Sequence, residues 1–123
     1  MKKKILIIED EEILGTLLKE KISERGYDVL LAIDGEEGLA LMKSDKPDLL
    51  LLDIVMPKID GFGVMEEMNK TKDLNLNKIP VVIISNSGQP VEIDKVLKFG
   101  VKDYLIKTQF NPEEVIEKIE KYL

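Results

Sequence analysis

Three observations predict an α/β fold, a doubly wound (βα)5 unit whose parallel sheet has the order 2-1-3-4-5. Three short runs are apolar at every position: Ile5-Leu6-Ile7-Ile8, Leu49-Leu50-Leu51-Leu52 and Val81-Val82-Ile83-Ile84. Such runs fit strands covered on both faces, as in the middle of a parallel sheet. Between the runs the apolar spacing changes to a helical period, so strands and helices alternate strictly. The 123 residues suit one hydrophobic core and are too few for two.

Each element follows from local chemistry. After the first strand, Ile13, Leu14, Leu17, Leu18 and Ile22 form a stripe that predicts an amphipathic helix, and Gly26 falls where helices end. Tyr27 to Ile33 mixes polar and apolar residues, as an edge strand does. Asp34 and Glu37 have capping-box spacing and open the second helix. Leu49 to Leu52 is the third strand, and a further helix separates it from the fourth, Val81 to Ile84. Pro90 starts the fourth helix and Gly100 closes it. Tyr104 to Ile106 is a second edge strand. Asn111 with Glu114 repeats the capping-box spacing, Pro112 suits a first helical position, and Val115, Ile116, Ile119, Tyr122 and Leu123 form the last stripe. Right-handed crossovers then favour the flavodoxin-like order, with strands 1 and 3 adjacent where the winding reverses. Ligands in such sheets sit beyond the carboxyl ends of the strands, which directs attention to the residues after Ile8, Leu52, Ile84 and Ile106.

Composition excludes several chemistries. The chain has no cysteine, so disulfides, thiolate nucleophiles and Cys-ligated metals are ruled out. It has no histidine either, which removes imidazole bases, Ser-His-Asp triads and HExxH sites. The net charge of -6 argues against direct nucleic-acid binding, since a phosphate backbone needs a basic face. Acid concentrates early: residues 1–62 hold 14 Asp and Glu against 9 Lys and Arg, and Glu9, Asp10, Glu11 and Glu12 are consecutive. The apolar run after Met1-Lys2-Lys3-Lys4 is too short for a signal peptide, and no stretch approaches the ~18 residues of a membrane span. A cytoplasmic location is expected.

The strand ends carry the remaining chemistry. Glu9 and Asp10 follow the first strand and Asp53 follows the third, so three carboxylates should converge. Their mutual repulsion should raise a pKa or recruit a cation, and an all-oxygen ligand set without Cys or His favours Mg²⁺. Asp53 stands at the mouth of a core strand, where an unpaired charge is costly, and Lys107 after the fifth strand is its expected cation. Ser85 adds a hydroxyl on the same edge. Each member alone has a plainer reading: a solvated acidic loop, a satisfied buried Asp, an ordinary surface lysine, a turn serine. Together they describe a carboxylate nucleophile beside a metal, with a hydroxyl and an ammonium placed to contact a phosphoryl group.

In these residues the sequence resembles the receiver domains of two-component response regulators, of the chemotaxis-regulator kind. The matching pieces are Ile5 to Glu11, Leu52-Asp53-Ile54-Val55-Met56-Pro57 with Asp60-Gly61, Ile84-Ser85, and Gly100 to Lys107, in family order. The resemblance implies one receiver domain over 1–123 with no output domain. It implies that Asp53 is phosphorylated by a sensor histidine kinase or a phosphotransfer protein, with Mg²⁺ on Glu9, Asp10, Asp53 and the Val55 carbonyl. Ser85 is then the switch hydroxyl, Lys107 the lysine paired with the phosphoryl oxygens, and Tyr104 the aromatic switch. Such a protein is not an enzyme in the turnover sense; it assists its own phosphotransfer and dephosphorylation, and signals to an effector as a monomer or a phosphorylation-dependent dimer.

Some positions depart from the family pattern. Glu9 stands where Asp is commoner, so its longer arm is expected to hold the metal through water. Ser85 replaces Thr, and Asn86 stands where a small residue is typical. Thr108 takes the place of a proline whose preceding peptide is cis; cis before a non-proline costs about 2.5–4 kcal/mol, which favours a trans bond and a differently shaped loop without deciding the isomer. Two rivals remain. A flavin or nucleotide enzyme on the same sheet needs a Gly/Ser/Thr-rich phosphate loop after strand 1, where this chain has four acids. A pseudo-receiver acting only as a scaffold would bind Mg²⁺ weakly and take no phosphate.

Overall fold

The computed structural model describes residues 2–56, 58–71, 75–86 and 90–123. Pro57 of the third-strand motif and the Ser87-Gly88 loop lie outside them. The chain runs β1 (Lys4–Ile8), α1 (Glu12–Glu24), β2 (Asp28–Ala32), α2 (Gly35–Asp45), β3 (Leu49–Asp53), α3 (Gly61–Lys70), β4 (Val81–Ser85), α4 (Pro90–Leu97), β5 (Asp103–Ile106) and α5 (Pro112–Glu120). The sheet order is β2-β1-β3-β4-β5, all pairs parallel. The mixed runs at Tyr27 and Tyr104 are the two edges, as expected.

Alternation explains why the central strands are apolar throughout. Successive side chains point to opposite faces. Leu6, Ile8, Leu50, Leu52 and Ile83 enter one core with Leu39, Met42, Val64, Met68 and Val96 of α2, α3 and α4. Ile5, Ile7, Leu49, Leu51, Val82 and Ile84 enter the other with Leu18, Ile22, Val115, Ile116 and Ile119 of α1 and α5. Every residue of β3 is buried because helices cover both sides.

The helix ends follow the sequence with two corrections. Gly26 and Gly100 take φ of 95° and 79° beyond the ends of α1 and α4. Asn111 and Glu114 complete a reciprocal capping box, whereas Asp34 accepts from the Glu37 amide without the return bond. In α1 the stripe is narrower than its spacing suggested: Leu18 and Ile22 are buried, but Leu17 lies at the boundary and Ile13 is 88% exposed. The Ile13 side chain falls on the flank of the helix, outside the arc that meets the sheet. Short 3₁₀ turns at Leu76–Lys78 and Lys107–Gln109 were not marked in the sequence.

Candidate functional site

The pleat assigns the site residues to faces. Glu9 continues the parity of Ile5 and Ile7, Asp53 that of Leu49 and Leu51, and Lys107 that of Leu105, so all three emerge on the α1/α5 side of the sheet. Ser85 has the opposite parity, with Ile83. As the last residue of its strand it still lines the same cleft, a space of about 420 Å³ bounded by Asp10, Glu11, Asp53, Val55, Ser85, Asn86 and Lys107.

Local structure holds Asp53 in place. Directly after it the chain turns outward through Ile54, whose carbonyl accepts a 2.8 Å hydrogen bond from the Gly61 amide at the start of α3. Asp60 caps that helix by accepting from the Gly63 amide at 2.9 Å. Lys58, at φ 66°, sets its ammonium 3.5 Å from Asp34 at the start of α2. The β3–α3 turn is thus tied at both ends.

Carboxylates outnumber cations here. Oxygens of Glu9, Asp10 and Asp53 all lie within 4.8 Å of one another. One cation, Lys107, approaches Glu9 Oε1 at 2.5 Å, Glu11 Oε2 at 3.1 Å and Asp53 Oδ2 at 3.2 Å, with its own side chain 7% exposed. Burial pushes the Glu9 carboxyl up to about 8, and neighbouring Asp53 adds to the shift. Asp10 is raised for the same two reasons in the same order. Burial by itself would lower the Lys107 ammonium, but Glu9 and Asp53 more than offset it and its pKa ends above the ordinary lysine range.

The cluster fits a divalent cation. Glu9 is fully buried, yet its contact with Lys107 lacks hydrogen-bond alignment and neither of its carboxylate oxygens receives a hydrogen bond. A buried carboxylate left this way is costly unless a cation completes it. The ligand atoms present are oxygens, the set that hard ions such as Mg²⁺ prefer.

The structure brings most of the residues singled out in the sequence to one cleft. Glu9, Asp10, Asp53 and Lys107 come together, Ser85 is buried at the cleft, and Val55 lies on its rim, 69% exposed. Tyr104 is partly buried against the core on the α4 side and pairs with Ile83 across the sheet. The structure contains no cis peptide among the described residues, so the Lys107–Thr108 bond, which the sequence left open, is trans. Glu11 was missed: no periodicity or spacing signals that its side chain reaches Lys107.

A family model for the response regulator receiver domain matches residues 5–120. The chain belongs to that family. Relatives of this receiver domain include the alkaline phosphatase synthesis transcriptional regulatory protein PhoP of Bacillus subtilis, 38% identical over all of this chain and 49% of that protein. The transcriptional regulatory protein CpxR of Klebsiella pneumoniae is 40% identical over 98% of this chain and 49% of its own length. The receiver domain therefore spans about half the length of these relatives. Among solved structures, the Francisella response regulator 1452 receiver domain superposes with TM-score 0.86 at 31% identity, covering 98% of this chain and 95% of that one. The chemotaxis protein CheY4 of Vibrio cholerae shares the fold, with TM-score 0.89 over the whole of both chains at 23% identity. Among the described residues, no helix is long and apolar enough to cross a membrane.

Proposed function

We propose that this receiver domain is a phosphoacceptor switch in which the Asp53 carboxylate takes a phosphoryl group from a phosphohistidine of a sensor histidine kinase or phosphotransfer protein. The observation that carries this reading is the convergence of the Glu9, Asp10 and Asp53 carboxylates, two of them ion-paired to one buried lysine, in a cleft at the sheet's switch point. An Asp53 oxygen attacks phosphorus, the P–O bond forms as the P–N bond breaks, and the electron pair of the P–N bond returns to the imidazole nitrogen. The chain has no histidine, so the donor is another protein or a small acyl phosphate.

Asp10, Asp53 and the Val55 carbonyl would hold Mg²⁺ directly, with Glu9 acting on it through water. When bound, the ion offsets the negative charge of carboxylates and phosphoryl oxygens. Lys107 pairs with a phosphoryl oxygen from the α5 side, and the Ser85 hydroxyl donates to another from the opposite side of the cleft. Tyr104 shares the face of Ser85, so a shift of Ser85 alters the α4 side of the sheet, and an effector protein reads that change. The domain works in the cytoplasm without contacting nucleic acid itself, as a monomer or as a dimer formed on phosphorylation, and also assists loss of its own phosphate.

Intact-mass analysis with acetyl phosphate and Mg²⁺ tests the reading. The expected result is one hydroxylamine-labile phosphate on the wild type and none on Asp53→Asn. No phosphate on the wild type would favour a pseudo-receiver scaffold and overturn the proposal.

A further inference from the structure

Glu11 occupies the N-cap position of α1 and makes no cap bond there, as its side chain is longer than those of the short residues that cap helices. Its carboxylate turns instead across the cleft mouth, and Oε2 takes a 3.1 Å hydrogen bond from Lys107 Nζ. An ammonium has three donors; here Asp53 and Glu11 each accept one, and Glu9 stands against the ammonium as an ion-pair partner. Glu9 is fully buried and Asp53 nearly so, whereas the Glu11 side chain is 49% exposed. Glu11 is therefore the partner that leaves at least cost.

Building on the phosphoacceptor reading, we infer that Glu11 is a built-in competing anion: it holds the Lys107 donor that an incoming phosphoryl oxygen needs, and must swing out before that oxygen is bound. Glu11 does not touch the phosphoryl group; it acts through Lys107 as a positioning residue. Its carboxylate also lines the cleft entrance, so it disfavours small free anions more than a donor protein that covers the mouth and displaces it. The contact is half exposed, and exposed ion pairs contribute modestly, so the effect on binding is about two- to five-fold.

The test compares wild type, Glu11→Gln, Glu11→Asp and Glu12→Gln at saturating Mg²⁺, reading beryllofluoride affinity by amide NMR titration and the rate of phosphorylation by acetyl phosphate. Glu11→Gln removes the charge. Glu11→Asp keeps it but withdraws the oxygen by one methylene, and Glu12→Gln removes an equal charge one residue away. Glu11→Gln and Glu11→Asp should both bind beryllofluoride about two- to five-fold more tightly and react faster by a similar factor, with Glu12→Gln close to wild type. Glu11→Gln no different from Glu12→Gln would overturn the inference. So would Glu11→Asp behaving as wild type, because the effect would then be one of field and not of contact. Wild type that neither binds beryllofluoride nor accepts phosphate would instead bring down the phosphoacceptor reading beneath it.

Discussion

Gly61→Ala should damage the site from outside it. A Cβ at Gly61 would lie 2.7 Å from Ile54 Cα and 2.8 Å from the Asp53 carbonyl oxygen. Carbon contacts are comfortable at about 3.5–4.0 Å, so the shortfall is on the order of 0.8 Å, and both obstacles are backbone that cannot rotate away. The Gly61 amide to Ile54 carbonyl bond of 2.8 Å ties the two segments, so relief requires moving the turn that carries Asp53 or backing α3 away from it. Forcing a methyl into such a gap costs about 1–3 kcal/mol. Replacing a helical glycine returns at most about 1 kcal/mol, so even with the full return the net loss reaches about 2 kcal/mol at the upper end, or as much as roughly 10 °C in Tm for a domain this size. Because a displacement near 1 Å can cost about 100-fold in a positioned reaction, phosphorylation by acetyl phosphate should slow about 10- to 100-fold. Gly63→Ala is the comparison: its Cβ would meet the Ile59 Cγ2 methyl at 2.6 Å and otherwise only side-chain atoms at 3.6 Å or more, so what must give is a side chain and not the backbone that carries Asp53. Urea melts and intact-mass time courses on both variants decide the matter. Equal stability and equal phosphorylation rates would refute the steric reasoning.

Two further outcomes are expected. Glu9 has its carboxyl pushed up from an ordinary 4.5 to about 8, chiefly by burial, so the folded domain holds a proton that the unfolded chain releases. Stability measured in EDTA should therefore be greatest below about pH 4.5 as far as Glu9 contributes, fall as pH rises toward 8 and then level off. Glu9→Gln should flatten that slope, and urea titrations across pH showing the slope unchanged would count against the assignment. Asn111→Ala removes the bond from the Glu114 amide to Asn111 Oδ1 at the start of α5, leaving the backbone amide of residue 111 still able to donate to Glu114, and should cost about 1 kcal/mol, seen as a lower Tm and faster amide exchange in the first turn of α5 alone; unaltered exchange there would contradict it.

How much was legible beforehand depended on the kind of signal. The central strands could be read because burial on both faces leaves an unbroken apolar run, and the strand order followed from the handedness of crossovers. Asp53, Asp10 and Ser85 could be located because strand ends at a switch point are few. The α1 stripe misled at Ile13, since spacing gives the arc of a helix but not which edge of the arc meets the sheet. The reach of Lys107 was legible only in part. Its pairing with Asp53 follows from strand ends on the same edge of the sheet, one strand apart across β4, but a four-carbon arm can also reach on to β1, and only the fold shows that it meets Glu9 and Glu11 there.

On the proposed reading, the placement of charge gives a modification of Asp53 a route to both sides of the sheet. Glu9, Asp53 and Lys107 share the parity of the α1/α5 core, while Ser85 and Tyr104 share that of the α2, α3 and α4 core. With one lysine set against Glu9, Asp10 and Asp53, the cluster is electrostatically unbalanced before any ligand arrives. A phosphoryl group on Asp53 would deepen that imbalance, since a phosphate carries about -1.5 to -2 where a carboxylate carried one charge. Lys107 is already engaged on its own side, so the added acceptor oxygens draw their next donor from across the sheet edge, and Ser85 is the cleft hydroxyl there. The pull on Ser85 would thereby be transmitted to the face that holds Tyr104 and α4. On this argument Ser85→Ala should leave the Lys107 contacts intact and still uncouple phosphorylation from any change at Tyr104. Tyrosine-ring NMR with and without beryllofluoride would show this, and a Tyr104 response that persists in Ser85→Ala would defeat it.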